Sequence, residues 1–162
     1  MVGCLEVESG DEEIMAMAAP RTIKVAADSG AGDHVAAAEL VGAHLVVPSA
    51  GSRNGRHFVA ANGDRMRNRG EARLKLADPK AGTTIHSTFQ VADVTRALYS
   101  VSKMCDEGCV VTFTESEGKV TKDGQVVARF VREGGLYVAE MEIIGSTADA
   151  ASSPFTGRGT EE

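Results

Sequence analysis

The chain has 162 residues, of which 43% are hydrophobic and 25% are charged, and its formal net charge is -6. This length and composition favour one globular domain, leave little room for two full lobes, and exclude a chain that is disordered throughout. The acidic balance gives no general indication of nucleic-acid binding. The sequence shows neither a signal-peptide pattern nor an apolar run long enough for a transmembrane helix. We therefore expect an intracellular, cytoplasmic protein without a membrane partner.

Composition along the chain predicts its organisation. Residues 1–20 are acidic and weakly patterned, and residues 145–162 are small and polar, so both segments are expected to be disordered or linker-like. Between them, short apolar runs alternate with glycine, asparagine and aspartate turns about every ten residues, which is typical of an all-β domain. The predicted fold is therefore all-β with flexible termini.

The predicted elements follow from local patterns in chain order. The Asn-Gly pair in "AANGD" and the Asp-Gly pair in "TKDGQ" predict hairpin turns. Ala97, Val101 and Met104 recur at helical spacing before Gly108, which predicts one short helix near 97–106. A second short helix is indicated in "VAAAELVG". Strands are predicted at 23–27, 44–47, 57–61, 72–77, 85–91, 110–114, 125–131 and 136–140.

The cysteines and histidines do not form a recognisable metal or nucleophile pattern. The three cysteines are an odd and sparse set, so reduced thiols are expected. Cys105 and Cys109 lack a second pair at zinc-ligand spacing, and no His with Asn or Asp arrangement marks Cys105 as a nucleophile. The four histidines are scattered and are interpreted as polar surface or strand residues. No metal or organic cofactor is expected.

An acidic turn follows the first predicted strand, in the sequence "IKVAADSGAGDHV". The strand delivers Asp28 to the turn, Ser29 adds a short hydroxyl, and Gly30 permits close backbone approach. An aspartic protease needs these parts, but the same residues are also common turn chemistry at the end of a strand. Such an enzyme uses two carboxylates that share one proton, and Asp-Ser-Gly occurs only once in the chain. The chemistry would therefore require a two-fold homodimer with the site on its axis.

Several stretches of the chain resemble polyproteins of copia-type retrotransposons. The sequence "VAADSGAGDHV" resembles the catalytic turn of their retropepsin-like aspartic protease domain, and "FVAANGDRMRNRGEARLKL" is similar to the flap hairpin region. The stretch "FQVADVTRALYSVSKMCDEGCVVTF" resembles the late strand, hydrophobic pair, helix and closing strand of that domain. The resemblance implies a retropepsin-like closed β domain at 21–115. It also implies a β extension at 116–144 that is similar to the start of a Gag-pre-integrase segment.

The resemblance implies roles for individual residues. Asp28 matches the catalytic aspartate, and Ser29, Gly30 and Ala31 match the supporting residues of the catalytic turn, with Ser29 hydrogen-bonded across the dimer. The implied substrate-binding residues are Asp33, Ala61, Asn62, Gly63 and Leu98.

Three further positions concern the packing behind the turn. Leu98 and Tyr99 match the hydrophobic pair that packs there. Ser100 departs from the glycine of most retropepsins, and copia-type members often have serine at this position.

The implied activity is that of an aspartic endopeptidase, which would hydrolyse peptide bonds of a retroelement polyprotein with water as the nucleophile. Its partners would be a second copy of the chain and the polypeptide substrate. The alternative is a catalytically inactive relic or binding module with the same fold.

The segment from Phe58 to Arg73 is the candidate flap, with Asn62 and Gly63 at its tip and Gly70 allowing the returning strand to bend. The alternative is an ordinary solvated hairpin. The region 53–75 is also the most basic part of the chain, which favours a charged hairpin surface and leaves an acidic substrate or RNA as weaker readings. Its basic residues are Arg53, Arg56, Arg65, Arg67, Arg69, Arg73 and Lys75.

Overall fold

The computed structural model describes residues 21–60 and 62–146. The predictions for 1–20 and for 147–162 lie outside the described residues, as does Ala61. Gly145 and Ser146 belong to the last strand, so the predicted C-terminal tail begins two positions too early.

The described part of the chain is mostly β-strand, as the turn spacing predicts. The strands are β1 Arg21–Asp28, β2 Val35–Ala36, β3 His57–Val59, β4 Arg65–Arg67, β5 Gly70–Asp78, β6 Thr83–Val91, β7 Ala97–Ser100, β8 Val110–Phe113, β9 Glu117–Lys122, β10 Gln125–Glu133 and β11 Leu136–Ser146.

The helices of the described residues are all short. They are α1 Ala38–Val41, a 3-10 helix Ala43–Leu45, α2 Ala50–Arg53 and α3 Val101–Asp106. Within 21–60 and 62–146, none is long and apolar enough to span a bilayer.

Six strands close into a barrel in the order β1-β7-β2-β6-β5-β11, because β11 also pairs with β1. β1 runs parallel to β7, whereas β11 runs antiparallel to both β1 and β5. The strands β10, β9 and β8 continue the same sheet beyond β11. The prediction of an all-β fold with a closed β domain is thereby confirmed.

Alternating burial along β5 and β6 shows which face of these strands forms the core. Every second residue is buried along all of β5 and from Ile85 onward in β6, as expected where one face of a sheet packs inward. Tyr99, Phe89 and Phe130 are the largest of the fully buried side chains. Their neighbours in the core include Ile23, Val25, Leu74, Leu76, Ile85, Met104 and Met141.

Two predicted elements differ from the structure. The predicted strand at 44–47 is wrong, because Ala43–Leu45 form a 3-10 helix and only Val47 makes a β-bridge, with Glu71. The helix predicted near 97–106 begins at Val101, and the residues before it form β7. The Ser100 hydroxyl accepts a hydrogen bond from the Lys103 amide at 3.1 Å, which is the contact that starts a helix.

The segments 21–115 and 116–144 share one barrel. β11 begins in the second segment and extends two residues beyond it, to Ser146. It nevertheless pairs with β1 and β5 of the first segment. The predicted boundary at 115 therefore does not separate two folding units.

Gly70 anchors the return from β4 into β5. Its φ is +128°, in the region that favours glycine, and a Cβ there would lie 2.4 Å from the Val47 carbonyl oxygen. Val47 and Glu71 exchange backbone hydrogen bonds of 2.9 and 2.8 Å, so the Val47 carbonyl has little freedom to move away.

We predict that Gly70→Ala lowers the free energy of unfolding by about 3 kcal/mol, through backbone strain and the clash with Val47. Gly63→Ala is the matched control, because Gly63 also has a positive φ, +92°, but no atom near its Cβ position. That control should lose only about 1 kcal/mol. Urea denaturation would measure both values, and equal losses would contradict the close approach.

Candidate active site

The acidic turn sits at the end of β1 and is held against β7. Parallel pairing of β1 with β7 places Asp28 opposite Ser100. The Gly30 amide donates a hydrogen bond to Oδ1 of Asp28 at 2.7 Å, and the Ala31 amide lies 3.4 Å from the Asp28 carbonyl oxygen. The carboxylate is therefore oriented by its own turn while it remains partly accessible.

The backbone of Gly30 lies close to the Asp28 carboxylate. A Cβ at Gly30 would stand 3.3 Å from Oδ1 of Asp28, tighter than an ordinary contact. Ser29, between them, is exposed on the turn. An exposed residue next to Asp28 is available to a second molecule.

Ser100 connects the turn to the rest of the barrel. Its hydroxyl donates to the Ala31 carbonyl oxygen at 2.6 Å, and its amide donates to Nδ1 of His34 at 3.0 Å. Ser100 itself is fully buried. Ser100 thus connects the far side of the acidic turn to the start of α3.

His34 is a buried part of this connection, which the sequence reasoning missed. The sequence pattern indicates a surface or strand residue, but the His34 side chain is 0% exposed and packs edge-on against the Tyr99 ring. Burial lowers the pKa of His34 to about 3, and the nearby charge of Lys103 adds to this effect. His34 is therefore neutral near pH 7, with Nδ1 as acceptor and Nε2 carrying the proton. Among the described residues, Nε2 has no hydrogen-bond partner.

The hydrophobic pair Leu98 and Tyr99 has one member at the surface of the site and one in the core. Tyr99 is fully buried, its hydroxyl is 2.7 Å from the Ser87 hydroxyl, and burial raises its pKa. Leu98 is half-buried and points to the opposite face of β7. Tyr99 therefore packs into the core against the His34 ring, whereas Leu98 can contact a bound molecule.

Asp33 is held in place by two interactions. Oδ1 of Asp33 accepts a hydrogen bond from the His34 amide at 2.8 Å and lies 3.3 Å from Nζ of Lys103. Because Lys103 is on α3, this ion pair connects the segment after the acidic turn to the helix that begins at Ser100.

The predicted flap segment, 58–73, contains a separate two-stranded hairpin, β3–β4, whereas its residues 70–73 belong to β5 of the barrel. At its tip the Ala60 amide donates to the Asp64 carbonyl oxygen at 2.8 Å, and Asn62 Oδ1 accepts from the Asp64 amide at 2.9 Å. Phe58 and Met66 are opposite each other in the register and are half-buried. The Asn-Gly turn prediction is thus confirmed as the tip of a hairpin.

The base of the hairpin is fixed by Asn68. Its Oδ1 accepts hydrogen bonds from the Gly70 amide at 2.8 Å and from the Ser49 hydroxyl at 3.1 Å, and its Nδ2 donates to Gln90 at 3.0 Å. The side chain is buried, so these contacts satisfy an amide that water does not reach. The hairpin therefore projects from a rigid base.

One groove of about 1160 Å³ lies between the acidic turn and the hairpin. Of the predicted site residues, it brings together Asp28, Gly30, Ala31, Asp33, Asn62 and Leu98. Gly63 is exposed at the hairpin tip and is not part of the lining. Phe58 and Met66 also line the groove, so the hairpin presents an apolar surface to it. A groove bordered by a hairpin can hold an extended peptide beside the carboxylate.

Across 21–60 and 62–146, no group of three or more His, Cys, Asp and Glu side chains is arranged to hold a metal ion. Cys105 is exposed and Cys109 is buried, and both are free thiols. The carboxylates that line the groove are those of Asp28, Asp33, Glu71 and Asp93.

Comparisons with family models, with curated proteins and with solved structures give no match.

We predict that His34 makes the chain less stable in acid. The unfolded chain takes up a proton at His34 below pH 6.5, whereas the folded chain does so only near pH 3. Stability is thus lost as the pH falls between these values, by about 1.4 kcal/mol per pH unit at most. His34→Asn keeps a side-chain oxygen as acceptor for the Ser100 amide but does not titrate.

Urea denaturation of both proteins from pH 7 to pH 4 measures this difference. The variant should be less stable at pH 7, because ring packing is lost, but its stability should decline less steeply in acid. Parallel pH profiles for the two proteins would show that His34 is not a buried neutral group.

Proposed function

We propose that this protein is an aspartic endopeptidase of the retrotransposon polyprotein type, active as a homodimer. The observation that carries the proposal is the setting of Asp28, whose carboxylate is oriented by the Gly30 amide and faces a groove under a hairpin. The resemblance of the turn and hairpin sequences to copia-type proteases supports the same reading.

The chemistry requires two carboxylates, and each chain would supply one Asp28. Two carboxylates within about 3 Å hold one proton between them, since both cannot carry a charge at that distance. The ionised member would take a proton from a water molecule, and the protonated member would donate a hydrogen bond to the scissile carbonyl. Water then attacks the carbonyl carbon, and the proton passes to the leaving amine as the peptide bond breaks.

The hairpin β3–β4 would close over the substrate in this scheme. An extended peptide in the groove can pair with backbone groups as an added strand, while Phe58, Met66 and Leu98 contact its apolar side chains. Closure would exclude water and hold the scissile bond beside the two acids.

The substrate in this proposal is a retroelement polyprotein, which would be cleaved inside the cell, in the cytoplasm. An inactive relic of the same fold would keep the groove and bind peptides without cleaving them. Cleavage, rather than binding, therefore separates the two functions.

We predict that Asp28→Asn abolishes cleavage and leaves the fold intact. The full chain would be incubated at mildly acidic pH with a library of mixed-sequence peptides, and the products would be identified by mass spectrometry. We expect a loss of at least about a thousand-fold, because the amide cannot accept the proton from water.

Asp123→Asn is the control, since Asp123 is exposed in a turn that does not line the groove and its φ of +52° suits asparagine. Its cleavage should equal that of the unmodified chain. Equal cleavage by the Asp28→Asn variant would sink the mechanism, and no cleavage by any of the proteins would favour the relic.

A further inference from the structure

The groove carries charges that the catalytic chemistry does not use. Besides Asp28, three carboxylates line it, and each is already paired with a cation that is not part of the lining. The pairs are Asp33 with Lys103 at 3.3 Å, Glu71 with Arg73 at 2.7 Å and Asp93 with Arg69 at 2.7 Å.

Two guanidinium groups line the same groove without such partners. Among the residues that the structure describes, neither Arg56 nor Arg96 is within salt-bridge distance of a carboxylate. Both side chains are exposed and belong to residues of the groove lining. The cations of the groove are thus unpaired, whereas its carboxylates, apart from Asp28, are paired.

The two arginines lie on opposite sides of the site. The Arg56 amide donates to the Gly51 carbonyl oxygen at 2.9 Å, and the Arg56 carbonyl oxygen accepts from the Asn68 amide at 3.0 Å. Arg96 directly precedes β7, four residues before Ser100. One guanidinium therefore stands at the base of the hairpin and the other beside the strand that supports the acidic turn.

We propose that the groove selects peptide segments with acidic side chains close to the scissile bond, and that Arg56 and Arg96 bind these carboxylates. This inference rests on the proposed function. A guanidinium can donate two parallel hydrogen bonds to a carboxylate, so it recognises the group by shape as well as charge. Phe58, Met66 and Leu98 line the same groove, so the preferred segment combines carboxylates with apolar side chains.

RNA is the competing ligand for an arginine-rich surface. The exposed arginines of the hairpin strands, Arg65 and Arg67, do not line the groove, and the groove lacks a row of aromatic side chains for base stacking. The two arginines that do line the groove, Arg56 and Arg96, share it with Asp28 and with apolar side chains. This arrangement favours a peptide as the occupant.

The test compares the peptides cut from the mixed-sequence library by the full chain and its variants. Asp and Glu should be enriched about two- to five-fold within four residues of the cleaved bonds, the range expected of exposed ion pairs. Arg56→Gln and Arg96→Gln should each reduce this enrichment, and 0.5 M salt should reduce it in the unmodified chain. Arg65→Gln, outside the groove, should leave it unchanged.

A binding measurement separates this proposal from the proposed function. The Asp28→Asn chain would be titrated with two labelled peptides that differ only by Glu→Gln, and the Glu peptide should bind about two- to five-fold more tightly. That preference without any cleavage by the unmodified chain would refute the protease and leave the acidic-peptide site standing. Cleavage without enrichment, equal binding of the two peptides, or an oligouridine that displaces the Glu peptide would overturn the acidic-peptide site.

Discussion

The parallel pairing of β1 with β7 is the contact on which the candidate site depends. It places Ser100 opposite Asp28, so that one buried serine can hold the Ala31 carbonyl, accept the Lys103 amide and donate to His34. Each of these contacts restrains a different part of the site. Without this pairing the acidic turn would be an ordinary surface turn with no support from behind.

The barrel holds this pairing in place from both sides. β11 pairs with β1 and β5 and so closes the ring, while β2 lies against β7 on its other edge. His34 is buried as a neutral ring and packs against the Tyr99 side chain. This packing is therefore stable at neutral pH, and protonation of the ring destabilises it in acid. The site is therefore rigid behind the carboxylate and open in front of it.

The sequence predicts the elements better than their long-range contacts. Local signals are strong where a few residue types, such as Asn-Gly or Asp-Ser-Gly, favour a turn. The hairpin tip at Asn62 and Gly63 and the acidic turn at Asp28 are therefore found at their predicted places. The residues before Val101 are apolar at a spacing that suits both helix and strand, and pairing with β1 decides in favour of strand. At 44–47, β-branched residues suggest a strand, but the Val47–Glu71 bridge is the pairing that the structure makes.

No local sequence pattern predicts the contact between Ser100 and His34 behind the acidic turn. Ser100 and His34 are 66 positions apart, and neither type of residue predicts burial, so their contact is visible only in the folded chain. The same holds for the groove, whose lining combines the acidic turn, the hairpin and the segment before β7. A sequence can indicate each part, but the closure of the barrel decides which parts meet.

A mixing experiment tests most directly the central claim that two chains share one site. Unmodified and Asp28→Asn chains would be mixed in varying proportions at constant total concentration, allowed to exchange, and assayed on a peptide that the unmodified chain cleaves. If each site needs Asp28 from both chains, activity follows the square of the unmodified fraction and falls to about one quarter in an equal mixture. Activity that falls in direct proportion, to about one half, would contradict the shared site.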